Sequence, residues 1–156
     1  MRHWMILCLG LAACGGSNTS GADAEEMVDC STITGTDTFA VPLKHMGVGG
    51  KLYFQMEDAE PAPPARDDNT WVVEIDSVAS GVVGSPVDGA SLTVTPFMPA
   101  HQHGTPVPVQ IMPAGMPGRY TLSPVNLWMP GVWETTIAVT SGGTSDSAVY
   151  EFCIPN

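Results

Sequence analysis

Apolar and polar side chains alternate with a period of two along several short stretches of this chain. Trp71, Val73 and Ile75 fall on one side of an extended segment, with Val72, Glu74 and Asp76 on the other. Trp133, Thr135, Ile137 and Val139 alternate in the same way with Val132, Glu134, Thr136 and Ala138, and Tyr150, Phe152 and Ile154 with Val149, Glu151 and Cys153. Such a period marks strands half-buried against a core, and the first-named set of each stretch is the expected core face. Cys153 is thereby turned away from the central core. With the flanking turn signals, the pattern predicts strands over Thr38–Lys44, Lys51–Met56, Thr70–Val78, Ser91–Thr95, Pro106–Met112, Arg119–Leu122, Val132–Thr140 and Ala148–Ile154. Pro86-Val87-Asp88-Gly89, Pro117-Gly118, Pro130-Gly131 and Ser141-Gly142-Gly143 carry the turn chemistry between them. Glu57 to Asn69, with Pro61, Pro63 and Pro64, reads as an extended loop. No run of a dozen residues holds a helical period, so the fold class is all-β, a sandwich of seven or eight short strands.

The opening of the chain has a different pattern. Arg2 is followed by the apolar run Trp4 to Leu9 and then by Leu11-Ala12-Ala13-Cys14. The run is about half of the roughly 20 apolar residues that span a bilayer as a helix, which fits a removed export signal better than a transmembrane segment. Leu11 to Cys14 resembles a bacterial lipobox. That resemblance implies cleavage before Cys14, acylation of its thiol, and a lipid bilayer as partner, with several acyl chains giving a stable anchor. Gly15 and Gly16 lack the aspartate that retains such lipoproteins at an inner membrane, so in an envelope of two membranes the outer one is favoured. The expected organisation is a lipoprotein signal over residues 1–13, a flexible acidic tether over 14–29, and one folded domain over 30–156.

Charge narrows the partners. The 156-residue chain carries a formal net charge of −11, and loss of the first 13 residues removes one base and no acid. Nucleic acid is an improbable partner for such a surface. Glu57, Asp58, Glu60, Asp67 and Asp68 read as a solvated loop. With Cys8 inside the signal and Cys14 given to lipid, Cys30 and Cys153 are the remaining thiols of the four. An exported protein invites them to pair, and a bridge closing so long a loop stabilises by roughly 4 to 5 kcal/mol in the chain-entropy model. Cys30 and Cys153 as ligands of a copper or zinc site is the competing reading. Neither sits in a Cys-x-x-Cys redox motif.

The densest set of strong metal-ligand side chains is Met98-Pro99-Ala100-His101-Gln102-His103-Gly104. On an extended chain, imidazoles at i and i+2 share a side roughly 6 to 7 Å apart at Cα, within reach of one ion. The Met98 thioether three residues upstream adds a soft donor, which with imidazole suits copper better than calcium or magnesium. Further candidate ligands are Met129, His45 and Met46. Against each stands a bland reading: a solvated loop for the histidine pair, core filling for Met129, an exposed strand end for His45 and Met46. Met112 and Met116 form a second soft patch, read as gap-filling. Enzymatic motifs are missing: no Gly-x-Ser-x-Gly elbow, phosphate loop, His-Glu-x-x-His or dinucleotide fingerprint occurs. A Ser91, His101 and Asp88 triple is of a kind that any β-rich chain contains, and the chain reads as a non-enzyme.

Several motifs in order resemble the YtkA-like domains and related FixH-like proteins of bacterial envelopes, from about Leu52 to Val139. They are Gly84-Ser85-Pro86-Val87-Asp88-Gly89-Ala90, Phe97-Met98-Pro99 leading into His101-Gln102-His103-Gly104, Pro117-Gly118-Arg119-Tyr120, and Met129-Pro130-Gly131-Val132-Trp133. The resemblance implies an exported, immunoglobulin-like antiparallel β-sandwich. FixH-like members are associated with assembly of copper-containing oxidases, which favours copper as the ion. They are held by a transmembrane helix, however, so oxidase assembly is not transferred to a chain with a lipobox. Two functions follow as expectations. One is an envelope lipoprotein that captures, buffers or delivers copper through His101, His103 and Met98. The other is a metal-free envelope module that presents apolar loops around Trp128 and Trp133 to a protein partner.

Overall fold

A computed structural model describes residues 27–156; the expected signal, the acylation site Cys14 and the tether up to residue 26 lie outside the described residues. Ten strands form two antiparallel sheets, packed as a β-sandwich. They are β1 (Leu43–Met46), β2 (Leu52–Glu60), β3 (Asp67–Ala79), β4 (Val82–Pro86), β5 (Ser91–Met98), β6 (His103–Gly104), β7 (Gln110–Pro113), β8 (Arg119–Leu127), β9 (Gly131–Ser141) and β10 (Thr144–Ile154). One sheet runs β1-β2-β3-β8-β7, with β4 pairing β3 beyond the end of β8. The other runs β10-β9-β5-β6. A single 3₁₀ turn, Cys30–Thr32, is the helical element of the described residues, and no helix there is long and apolar enough to cross a membrane.

Alternation decides which side chains fill the space between the sheets. Phe54, Met56, Trp71, Val73, Ile75, Leu122 and Leu127 from one sheet meet Trp133, Ile137, Val139, Tyr150, Phe152 and Ile154 from the other, all buried. Trp71 lies edge-on to both Tyr150 and Phe152, at 6.4 and 5.8 Å between ring centroids. Cys153 points outward, as the pattern requires, and bonds Cys30 across a sequence separation of 123 residues.

The expected Glu57–Asn69 loop is shorter than its composition implies. β2 continues to Glu60 and β3 begins at Asp67. A bulge between Met56 and Asp58 breaks the alternation and hides the strand from a period-two reading. Buried Asn69 then closes the proline turn, accepting from Ala65 N at 2.9 Å and donating to the Ala65, Asp67 and Val125 carbonyls. The acids expected in a solvated loop are strand residues, and Glu57 and Glu74 both pair with Arg119. β4 and β6 bring the strand count above the expected seven or eight. β4 is exposed along its whole length, so it carries no core signature.

Candidate metal centre

One end of the sandwich gathers three segments: the turn from β5 to β6, the loop from β8 to β9, and residues 27–33 entering beside the last strand. The histidine pair is not extended. His101 N bonds Met98 O and Gln102 N bonds Pro99 O, making a tight turn that Gln102 completes in the left-handed region at φ 54°. His103 then opens β6 directly opposite Met98. Side chains opposite each other in an antiparallel ladder share a face with Cβ atoms roughly 4.5 to 5.5 Å apart, so Met98 and His103 both lean inward. The approach of His101 is by way of the turn, and its ring centroid lies 5.7 Å from that of His103, nearly perpendicular at 79°.

Each ring has a distinct setting. His103 stacks on Trp128 at 5.2 Å and 23° and meets the buried Trp133 edge-on at 6.1 Å. Its Nδ1 lies 3.1 Å from the Gly104 carbonyl oxygen. A carbonyl only accepts, so a hydrogen bond here has Nδ1 as the donor, and in the neutral ring that tautomer carries its lone pair on Nε2, as a ligand imidazole requires. His101 is exposed and lines a groove of about 380 Å³ whose walls include Met98 and Met129.

The second wall is rigid for identifiable reasons. Trp133 Nε1 donates to Met129 O at 2.9 Å, and Arg66 Nε to Trp128 O at 3.1 Å, so both carbonyls of the Trp-Met pair are held. Thr105 Oγ1 donates to Asn126 Oδ1 at 3.0 Å and Asn126 Nδ2 to Asp68 Oδ1 at 2.6 Å, tying the exit of β6 to β8. Gly131 has φ +129°, and a Cβ there would run into the Met98 methyl. Glycine at this position is therefore what admits the Met98 side chain. Met98 is buried and Met129 half-buried against the core. At the groove mouth, hydrogen bonds from the Ser31 hydroxyl and amide hold the Asp29 carboxyl below its ordinary range, keeping an anionic charge where a cation would enter.

The other expected ligands lie elsewhere. His45 sits on the edge strand β1 with its ring against Tyr150 at 4.7 Å and its Nε2 3.0 Å from Asp37 Oδ1. Met46 beside it is half-exposed, and neither lines the groove. Met112 and Met116 are exposed near the opposite edge of their sheet rather than filling gaps. Ser91 and His101 flank the two ends of β5, roughly 20 Å apart on strand geometry, so the Ser-His-Asp triple is not assembled. Cys30 and Cys153 are spent on each other as a disulfide.

Among the described residues no three His, Cys, Asp or Glu side chains gather at metal-binding spacing. The side chains that could hold a metal here are Met98, His101 and Met129, which line the groove, and His103, which does not line it but pairs with Met98 across the ladder; imidazole with thioether is a donor set of the kind copper accepts. Trp128 and Gly131 belong to this arrangement, and sequence reasoning passed over their roles. The only linear signal was the Met-Pro-Gly-x-Trp spacing, which shows neither stacking on His103 nor room for Met98.

A family model described as YtkA-like matches residues 53–138, more than half of the chain, with strands of both sheets but neither β1 nor β10. Over 125 residues the chain is 25% identical to the terpene cyclase DEP1 of Alternaria brassicicola, an alignment covering 72% of this chain and 33% of that protein. The chain thus spans about a third of the length of the curated relative it matches. No solved structure matches it significantly.

Proposed function

The chain belongs to the YtkA-like family, and from that premise we propose that its β-sandwich is an envelope lipoprotein that captures, buffers or delivers copper. Cys14 anchors it through acyl chains to a membrane facing the periplasm or exterior, the outer membrane where two are present. The ligands are His101, His103 and Met98, with Met129 as the second thioether. The observation that carries this reading is the cross-strand placement of Met98 opposite His103, with the His101 ring 5.7 Å from its partner ring across the turn. The reading requires the His101 ring and the Met98 side chain to change rotamer so that two nitrogens and a sulfur reach one ion. The cyclase activity in the name of the fungal relative is not carried over, because the chain covers a third of that protein at 25% identity. No enzymatic role is proposed.

Titrating copper into the purified chain, beside a His101→Ala/His103→Ala double variant, tests the reading. Uptake of one ion per chain, lost in the variant and weakened by acid as protons compete for imidazole, is the expected result. Equal uptake by both proteins would overturn it. Trp128 offers an optical readout, since copper at the neighbouring His103 quenches its fluorescence. A metal-free interaction module is the second reading, favoured by the partial exposure of Trp128, although Trp133, expected to share that apolar surface, is fully buried in the core. It requires Trp128 emission to ignore copper.

A further inference from the structure

We propose that Met27, on the stretch that leads from the tether into the domain, supplies a third thioether to the copper site, making that site selective for Cu(I). This rests on the copper reading above and adds to it a ligand and an oxidation state.

Met27 lines the same groove as Met98, Met129 and His101. It is 79% exposed, so hydrophobic burial gives no reason for an apolar side chain at this point of an acidic stretch. Nor is its position incidental. Val28 N donates to Asn156 Oδ1 at 2.6 Å, and the Cys30–Cys153 disulfide pins the next turn of chain to β10. These two ties hold Met27 at the groove that it lines together with Met98 and Met129. An unbranched thioether has the rotamer freedom to swing inward onto an ion, which a branched side chain lacks. Three thioethers with imidazole form a soft set that Cu(I) accepts readily, whereas Cu(II) gains most from the two imidazoles. Removal of Met27 therefore weakens Cu(I) binding and leaves Cu(II) binding unchanged. The disulfide acquires a second role as well, since it positions the ligand stretch in addition to stapling the fold.

The test measures Cu(I), supplied under nitrogen as its acetonitrile complex and competed against a chromophoric chelator, on the whole chain, with Cu(II) titrated separately. Wild type, Met27→Leu and His101→Ala/His103→Ala are compared, and an unchanged unfolding midpoint for Met27→Leu confirms an intact fold. A loss of about tenfold or more in Cu(I) affinity for Met27→Leu, with Cu(II) affinity unchanged, is expected. A Cys30→Ser/Cys153→Ser variant shows the same selective loss. If Met27→Leu holds Cu(I) as wild type does while the histidine variant has lost it, Met27 is not a ligand and the histidine site stands. If wild type itself takes up no copper, the site and this extension of it fall together.

Discussion

The carboxylate of Asp146 organises a turn that no periodicity reveals. Its Oδ1 accepts from Gly49 N at 2.6 Å and Ser147 N at 2.9 Å, and its Oδ2 from Lys51 N at 2.7 Å and Leu52 N at 3.0 Å. A Cβ on Gly47 would collide with that carboxylate and one on Gly49 would crowd it, so these glycines after β1 let the chain wrap an internal anion. Burial pushes the Asp146 carboxyl upward, but the four backbone donors outweigh it and the net shift is downward. A depressed carboxyl contributes stability that is present above its unfolded value and is lost as pH falls through the folded one. Asp146→Asn turns an amide N–H₂ toward N–H groups and should cost about 2 to 3 kcal/mol at neutral pH. Urea unfolding across pH checks it, because the gap to wild type must close in acid. At the candidate site, Gly131→Ala adds a methyl against Met98 at a backbone angle that disfavours any Cβ, a loss of about 1 to 3 kcal/mol. It should also lower copper affinity by displacing the Met98 sulfur.

Among the elements, β10 presents a long outer edge, the kind of edge that invites pairing with another chain. It is covered at intervals: Asp37 N donates to Glu151 O, Glu151 N donates to Asp37 Oδ2, and Val48 N donates to Ser147 O. On its outward face Glu151 stands directly opposite Glu134 of β9. Desolvation, then Glu134 and Asp37, raise the Glu151 carboxyl above its ordinary value. A raised carboxyl favours the folded state most when protonated, and that contribution is lost as pH rises through the folded value. Glu134→Gln should therefore stabilise by about 0.2 to 1 kcal/mol at pH 7, with the gain lost in acid, where Glu151 is protonated. Thermal unfolding of the two proteins at neutral and acid pH measures it. These strands were legible because their alternation is unbroken: Trp71 to Ile75, Trp133 to Val139 and Tyr150 to Ile154 all bury the expected face. β4 was not, because an exposed strand leaves no apolar period, and the second half of β2 was not, because the bulge at Glu57 shifts its phase.

For the molecule as a whole, the non-consecutive pairings of β3 with β8 and β5 with β9 place the candidate site at one end of the sandwich. Pairing order is a long-range choice set by how the two inner faces fit, so local patterns could not show that Met98, His103 and the Met129 loop converge. The histidine pair was legible as a cluster but not in its geometry, since the turn depends on Gln102 adopting a positive φ. The disulfide was legible by elimination, and its 123-residue separation makes it the strongest single constraint on the unfolded chain. Cys30→Ser/Cys153→Ser should lower stability by about 4 to 5 kcal/mol, read from the urea midpoint under oxidising conditions. The proposed function requires sulfur and imidazole to meet on one copper ion. X-ray absorption at the copper edge of the loaded chain reads this: a first shell containing both nitrogen and sulfur scatterers is expected, and a shell of nitrogen and oxygen alone would overturn the copper reading.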